Sequence, residues 1–320
     1  MRPPPAFYAP AAIHKLSRKD AQMTRISTMI AATTLSLLSS VALAQTQPVT
    51  IKFAGEFAGK PFACTGKVDS IGATKAAVKP TDFRLFVSNV ALVKADGSTV
   101  PVTLDQDGKW QHKSVALLDF ETGAGNCMNG TSETRDVVTG TVPAGQYKGL
   151  KLTVGVPFEL NHSDPTLAPS PLNLTSMFWT WQGGYKFIKI DMMTGNAAVM
   201  PAKSSGHEAP KSGEQPAAGG FSIHLGSTMC QAPSRTSAPS ACANSNRIDL
   251  SFDDFDLKKN VVVFDPAPLL TGVDVEKNTP ETSPGCMSFP KDPECNTVMP
   301  KLGLAYGEHK AEAQAFARAR

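Results

Sequence analysis

Apolar side chains alternate with polar or small ones along much of this chain, at the period of two that a strand with one buried face requires. The run Val49-Thr50-Ile51-Lys52-Phe53-Ala54-Gly55-Glu56-Phe57 shows the rhythm first. It returns at 83–87, 148–156, 185–191, 221–225 and 248–252, while 115–120 and 261–264 are short continuous apolar runs suited to central strands covered on both faces. Turn signals punctuate these runs at Asp96-Gly97, Asp107-Gly108, Pro143-Ala144-Gly145 and Gly183-Gly184. Many short strands with such regular punctuation predict an all-β fold, an antiparallel β-sandwich with long disulfide-tied loops.

Two stretches break the rhythm. Residues 195–220 are rich in Gly, Ala, Pro, Ser and Lys without periodicity and read as a flexible surface loop. Residues 308–320 are Ala-rich and charged and carry the one helical pattern, expected as a frayed tail. With no linker or internal repeat dividing the core, the sandwich is expected over 45–270. Residues 271–320 are expected to form a disulfide-tied extension and tail.

The N-terminus changes the compartment. Residues 23–44 begin with Arg25, continue through Ile30, Leu35, Leu37, Leu38 and Val41, and end Ala42-Leu43-Ala44, the layout of a secretory signal peptide. Residues 1–22 are Pro-rich and basic and add nothing to such a signal, which makes Met23 an alternative start. The whole span 1–44 is therefore set aside as a leader, and no later run approaches the roughly 20 apolar residues of a membrane span. The leader holds five basic residues and one acid, so the net charge of +3 becomes −1 for the remainder. A near-neutral chain has no electrostatic case for nucleic acid. The expected location is the periplasm or the cell surface.

Six cysteines follow the leader: Cys64, Cys127, Cys230, Cys242, Cys286 and Cys295. In an exported chain an even number reads as three disulfides, with about 15 connectivities open. Cys230/Cys242 and Cys286/Cys295 are natural local loops, leaving Cys64 with Cys127. Cys-x-x-Cys and Cys-x-x-Cys-His are absent, so thioredoxin-like, zinc-ribbon and covalent-haem signatures are missing. A blue-copper centre needs a free Cys, and the even count leaves none. Neither Gly-x-Ser-x-Gly nor His-Glu-x-x-His occurs, and no enzyme is expected.

Candidate chemistry narrows to a few residues. His112, His207 and His309 lie in charged or low-complexity surroundings that suit a solvated ring. His162 instead follows the strand-like 155–161 segment, and His224 alternates with core-type Phe221, Ile223 and Leu225. Trp179 and Trp181 stand two apart and, if extended, face the same side, which suits an aromatic core patch as well as a site. Imidazole suits copper and zinc, and Met177, Met192, Met193 and Met229 offer soft sulfur, although methionine more often fills apolar gaps.

One succession of motifs goes further. Pro61-Phe62-Ala63-Cys64, Asp82 to Asn89 with Val90, Leu117-Leu118-Asp119-Phe120, Gly155-Val156-Pro157-Phe158 with Asn161-His162, Trp179-x-Trp181-x-Gly183-Gly184-Tyr185-Lys186-Phe187, and His224-Leu225-Gly226-Ser227 with Cys230 together resemble the MbnP-like family. This is the four-Cys member of a metallo-mystery pair, and the likeness runs over about 48–305. It implies a periplasmic copper-binding protein acting with a di-haem peroxidase-like partner of the MbnH type, which oxidises a tryptophan to kynurenine. The copper ligands it implies are His162 and His224, and the oxidised residue is Trp179 or Trp181; Trp110 suits less well. Asn161, Asp164 and Asp191 are candidates to bind the remaining ring nitrogens. The chain departs from the family in carrying six cysteines, the extra pair most naturally Cys286 and Cys295. The competing reading is an exported disulfide-rich β-sandwich module that binds a protein or glycan without metal.

Overall fold

The computed structural model describes residues 45–128, 130–180, 182–195, 219–234 and 237–320. The expected leader, Trp181 and all but the ends of the 195–220 segment, His207 included, lie outside the described residues. In chain order the strands that position the site begin with β1 (Thr46–Phe57), β2 (Ala76–Val93), β3 (Val115–Asp119), β4 (Val137–Pro143) and β5 (Gly149–Val154). After the short helix α1 (Phe158–Asn161) come β6 (Phe178–Thr180), β7 (Gly184–Tyr185), β8 (Ile188–Thr194) and β9 (Gly220–Leu225). The chain continues through β10 (Thr228–Gln231), β11 (Ala241–Asn244), β12 (Ile248–Phe252), β13 (Val262–Phe264), β14 (Gly285–Cys286), α2 (Cys295–Lys301) and β15 (Ala317–Ala319).

The fold is all-β and sandwich-like, built on two main sheets. One runs β15-β13-β1-β4, and the larger runs β12-β5-β2-β8-β9-β14 with β3 also paired to β2. Most pairings are antiparallel; β1 with β13 and β9 with β14 are parallel. Alternation does what the pattern promised in β1, where Val49, Ile51 and Phe53 are buried between exposed Thr50 and Lys52. The aromatic chain Phe264–Phe316–Phe83–Phe120, with ring centroids 5.1–6.3 Å apart, links strands of the smaller sheet to β2 through the apolar core.

β2 is the exception to simple alternation, for residues 82–88 are buried without a break. One face carries Phe83, Leu85 and Val87. The other carries Arg84, Phe86 and Ser88, and is covered by segments around Tyr185 and Glu121. A sheet buried on both faces must satisfy any polar side chain internally, and that requirement shapes the site.

The end of the chain differs from the helical tail read at 308–320. Phe316 is buried against Phe264 and Phe83, β15 pairs with β13, and Arg318 and Arg320 form ion pairs with the buried carboxylate of Glu56. A helix there would forfeit the ladder and these contacts, so tertiary contacts override the propensity of an Ala-rich segment. β14 likewise pairs with β9 through Ser222↔Gly285 and Ile223↔Cys286, so residues beyond 270 complete both main sheets.

Candidate functional site

A row of four residues crosses four neighbouring strands: Asp119 on β3 opposes Arg84 on β2, which opposes Lys189 on β8, which opposes His224 on β9. Beside it Asp82, Asp191 and Ser222 form a second row on the same face, because successive side chains of a strand alternate. Arg84 is fully buried, donating from Nε to Asp82 Oδ1 at 2.8 Å and forming a second, close bond to Asp82 Oδ2. Its Nη1 lies 3.8 Å from Glu121. Lys189 binds Asp82 and lies 3.2 Å from Asp191, whose other oxygen is 2.7 Å from His224 Nε2.

The electrostatics follow from this packing. Burial works against the Asp191 carboxylate, yet His224 and Lys189 hold it well below the ordinary range, so it is ionised. Burial and then Lys189 push Lys186 down to about 8. Burial and then Glu121 push Asp119 up to about 7. Asp119 therefore binds a proton in the folded state at pH values where the unfolded carboxyl has released it. Stability is expected to fall as pH rises from about 4 to about 7, by up to ~1.4 kcal/mol per pH unit from this group, and to level off above. Subtracting the pH profile of Asp119→Asn from that of the wild type, both by denaturant unfolding, should leave that decline. A flat difference would contradict it.

With Asp191 ionised, His224 Nε2 carries the hydrogen donated to it, and in the neutral ring Nδ1 holds the lone pair a metal takes. His162 is oriented from a different element. It caps the C-terminal end of α1 and is buried, with its ring edge-on to Phe158 at 4.9 Å. Asn161 Oδ1 accepts the backbone N–H of Tyr185 at 3.0 Å, so its Nδ2 faces His162 Nε2 at 3.2 Å as donor. That makes Nε2 the acceptor nitrogen of His162, with its lone pair turned to Asn161, so a metal bound there would take the place of that hydrogen bond. Gly184 makes the approach workable: it has φ +73°, and a Cβ there would stand 2.3 Å from the Asn161 carbonyl oxygen.

Trp179 lies over Gly226, two residues beyond His224; a Cβ at Gly226 would come within 2.4 Å of its ring. Its other neighbour is Phe289, 5.4 Å away and about half exposed. Asp164 is engaged elsewhere, accepting from the backbone N–H and hydroxyl of Thr166 in a turn. Met177 and Met192 are buried in the apolar core, and Met229 is exposed. Trp110 stacks under Lys109, and His309 is exposed.

Among the described residues, His162 is grouped with Cys230 and Cys242, whose potential ligand atoms all lie within 4.8 Å of one another. Among the described residues, no such group of three donors contains both His162 and His224. All six cysteines are paired, as Cys64–Cys127, Cys230–Cys242 and Cys286–Cys295. Sequence reasoning singled out Asp191 but passed over Asp82, Arg84, Asp119, Glu121, Lys186 and Lys189. The signal was present in Asp82-Phe83-Arg84, where charged residues alternate with core residues, a pattern that equally describes a solvent face.

The family model for MbnP matches residues 46–288. Among solved structures, the chain is similar to MbnP from Methylosinus trichosporium, with 29% identity and a TM-score of 0.69 over 86% of this chain and 98% of that one. Among curated proteins no sequence matches.

Proposed function

This chain belongs to the MbnP family, and from that membership we propose that it is an exported, non-catalytic copper-binding protein. Its partner is a di-haem peroxidase-like protein of the MbnH type, and together they serve copper handling. The observation that carries the reading is the paired fixing of two imidazoles. Asp191 holds one nitrogen of His224, and Asn161 sets the donor and acceptor roles of His162. A carboxylate that accepts from the far ring nitrogen orients a ligand histidine and raises its basicity, as Asp191 does for His224, while Asn161 fixes the orientation of the His162 ring.

The donor set fits copper chemically, since neutral imidazole is a good ligand for it and no thiolate is free to divert it. His162 and His224 would hold the ion, which supplies a soft, redox-active Lewis acid. Two imidazoles leave coordination unfilled, and the oxidised side chain of Trp179 or Trp181 is the proposed third contributor. Trp179 has the supporting placement, against Gly226 beside the end of β9. Three disulfides suit an oxidising compartment outside the cytoplasm. No helix among the described residues is long and apolar enough to cross a membrane.

The test is copper content together with intact mass for protein isolated from the native host under non-reducing conditions. The expected result is copper near one per chain and a gain of about 4 Da on a peptide containing Trp179 or Trp181, the balance of one carbon lost and one oxygen gained. Metal-free protein with unmodified tryptophans would favour instead a module whose half-exposed Trp179–Phe289 pair meets a protein or glycan.

A further inference from the structure

The Cys230–Cys242 disulfide lies outside the two main sheets. It joins β10 to β11 as a directly opposed cross-strand pair, in a two-stranded ribbon that pairs with neither main sheet among the described residues. Cys242 Sγ is 3.5 Å from His162 Nε2, the nitrogen that accepts a hydrogen bond from Asn161 Nδ2. Both sulfurs and a ring nitrogen of His162 lie within 4.8 Å of one another.

Accessibility separates this bridge from the other two. Cys64, Cys127, Cys286 and Cys295 are all buried, at 5% exposure or less, whereas Cys230 and Cys242 are both partly exposed. Thiol–disulfide exchange needs a thiolate to reach a sulfur, so a reductant meets the ribbon first. Since the ribbon is local, opening it leaves the ladders of the two main sheets in place.

We infer that the Cys230–Cys242 disulfide is a reducible lock on an alternative metal site, in which the two thiolates and His162, its Nε2 released from Asn161, bind Cu(I) in place of the His162–His224 pair. The step balances with a dithiol as reductant: R(SH)2 and the disulfide give the cyclic disulfide of R and two cysteine thiols. Two electrons and two protons pass from the dithiol to the two cysteines. Cu(I) binding then displaces the two thiol protons, and two sulfurs with one imidazole form a soft donor set of the kind that selects Cu(I). Oxidised, the site offers a single imidazole; reduced, it offers three ligands. Copper capture on this face is thereby coupled to the thiol redox state of the compartment. The inference uses His162 but depends on neither His224 nor tryptophan modification.

The test uses the full chain, reduced with limiting dithiothreitol and desalted without oxygen. An alkylated portion is mapped by peptide mass, and the rest is titrated with Cu(I) against bathocuproine disulfonate. Alkylation is expected at Cys230 and Cys242 before the other four. In the His224→Ala background the reduced protein should take up about one Cu(I) per chain that the oxidised protein does not. That increment should vanish when Cys230→Ser/Cys242→Ser is added to His224→Ala, and weaken by about tenfold or more when His162→Ala is added. Equal uptake by reduced and oxidised protein in that background, an increment that persists with both serines, or alkylation that shows no preference for the ribbon would each overturn it. Failure of the proposed function reads differently: the oxidised protein then holds no copper, whatever the reduced one does.

Discussion

Arg84→Met is expected to destabilise the fold by about 3–5 kcal/mol, the cost of removing one partner from a buried charge network. Arg84 is the hub of the covered face of β2. It holds both oxygens of Asp82, reaches Ser176 Oγ at 3.3 Å, and lies 3.8 Å from Glu121. Methionine has similar reach but no charge, so Asp82, Asp119 and Glu121, each at most 2% exposed, would share a buried face with Lys189, which binds Asp82, and Lys186, whose amino group is held by the Ser176 carbonyl. For a chain of this length the loss corresponds to a melting temperature lower by roughly 10 °C. Thermal unfolding of wild type and variant at one pH decides the matter. A shift of a degree or two would mean that water or a rearranged Lys186 replaces the guanidinium and that Arg84 is not the hub of the network.

His224→Ala is expected to abolish copper retention under competition, and Asp191→Asn to weaken it by about 10–100-fold while sparing the ligand itself. One hydrogen bond carries the effect. Asp191, ionised beside Lys189, accepts from His224 Nε2 at 2.7 Å, which fixes the ring and leaves Nδ1 for the metal. An amide at 191 could still accept that hydrogen but would lack the charge that raises the basicity of the ring. Chelator competition on both variants, each checked for a native unfolding profile, measures the effect. Unchanged retention in both would remove His224 from the copper account.

Much of the fold could be read from alternation alone. β1, β8, β9 and β12 coincide with period-two runs, because each has one face that a neighbouring layer must dry. Three disulfides pair as their spacing suggested, the two short loops closing locally. The charge network was illegible for a physical reason: a polar residue between two core residues looks the same whether water or another layer covers it. Arg84 could be recognised as buried only once the segments carrying Tyr185 and Glu121 were seen to fold over that face.

The end of the chain misled in the opposite direction. Ala and charged residues at 308–320 suggested a helix, and the decisive residue was Phe316, whose ring fills the core beside Phe264. Of the candidate site residues, His224 with Asp191 and His162 with Asn161 each form a hydrogen-bonded pair. The neighbourhood of His162 with Cys230 and Cys242 was not legible, since those cysteines lie 68 and 80 positions further along the chain and meet it only through the ribbon of β10 and β11.

The most direct test of the copper reading is anomalous diffraction at the copper edge from crystals of protein isolated in its native, oxidised state. The account predicts one anomalous peak at bonding distance, about 2 Å, from a ring nitrogen of His162 and of His224, with the side chain of Trp179 or Trp181 completing the ligand set. A peak remote from both histidines, or copper-loaded crystals without an ordered peak, would contradict it.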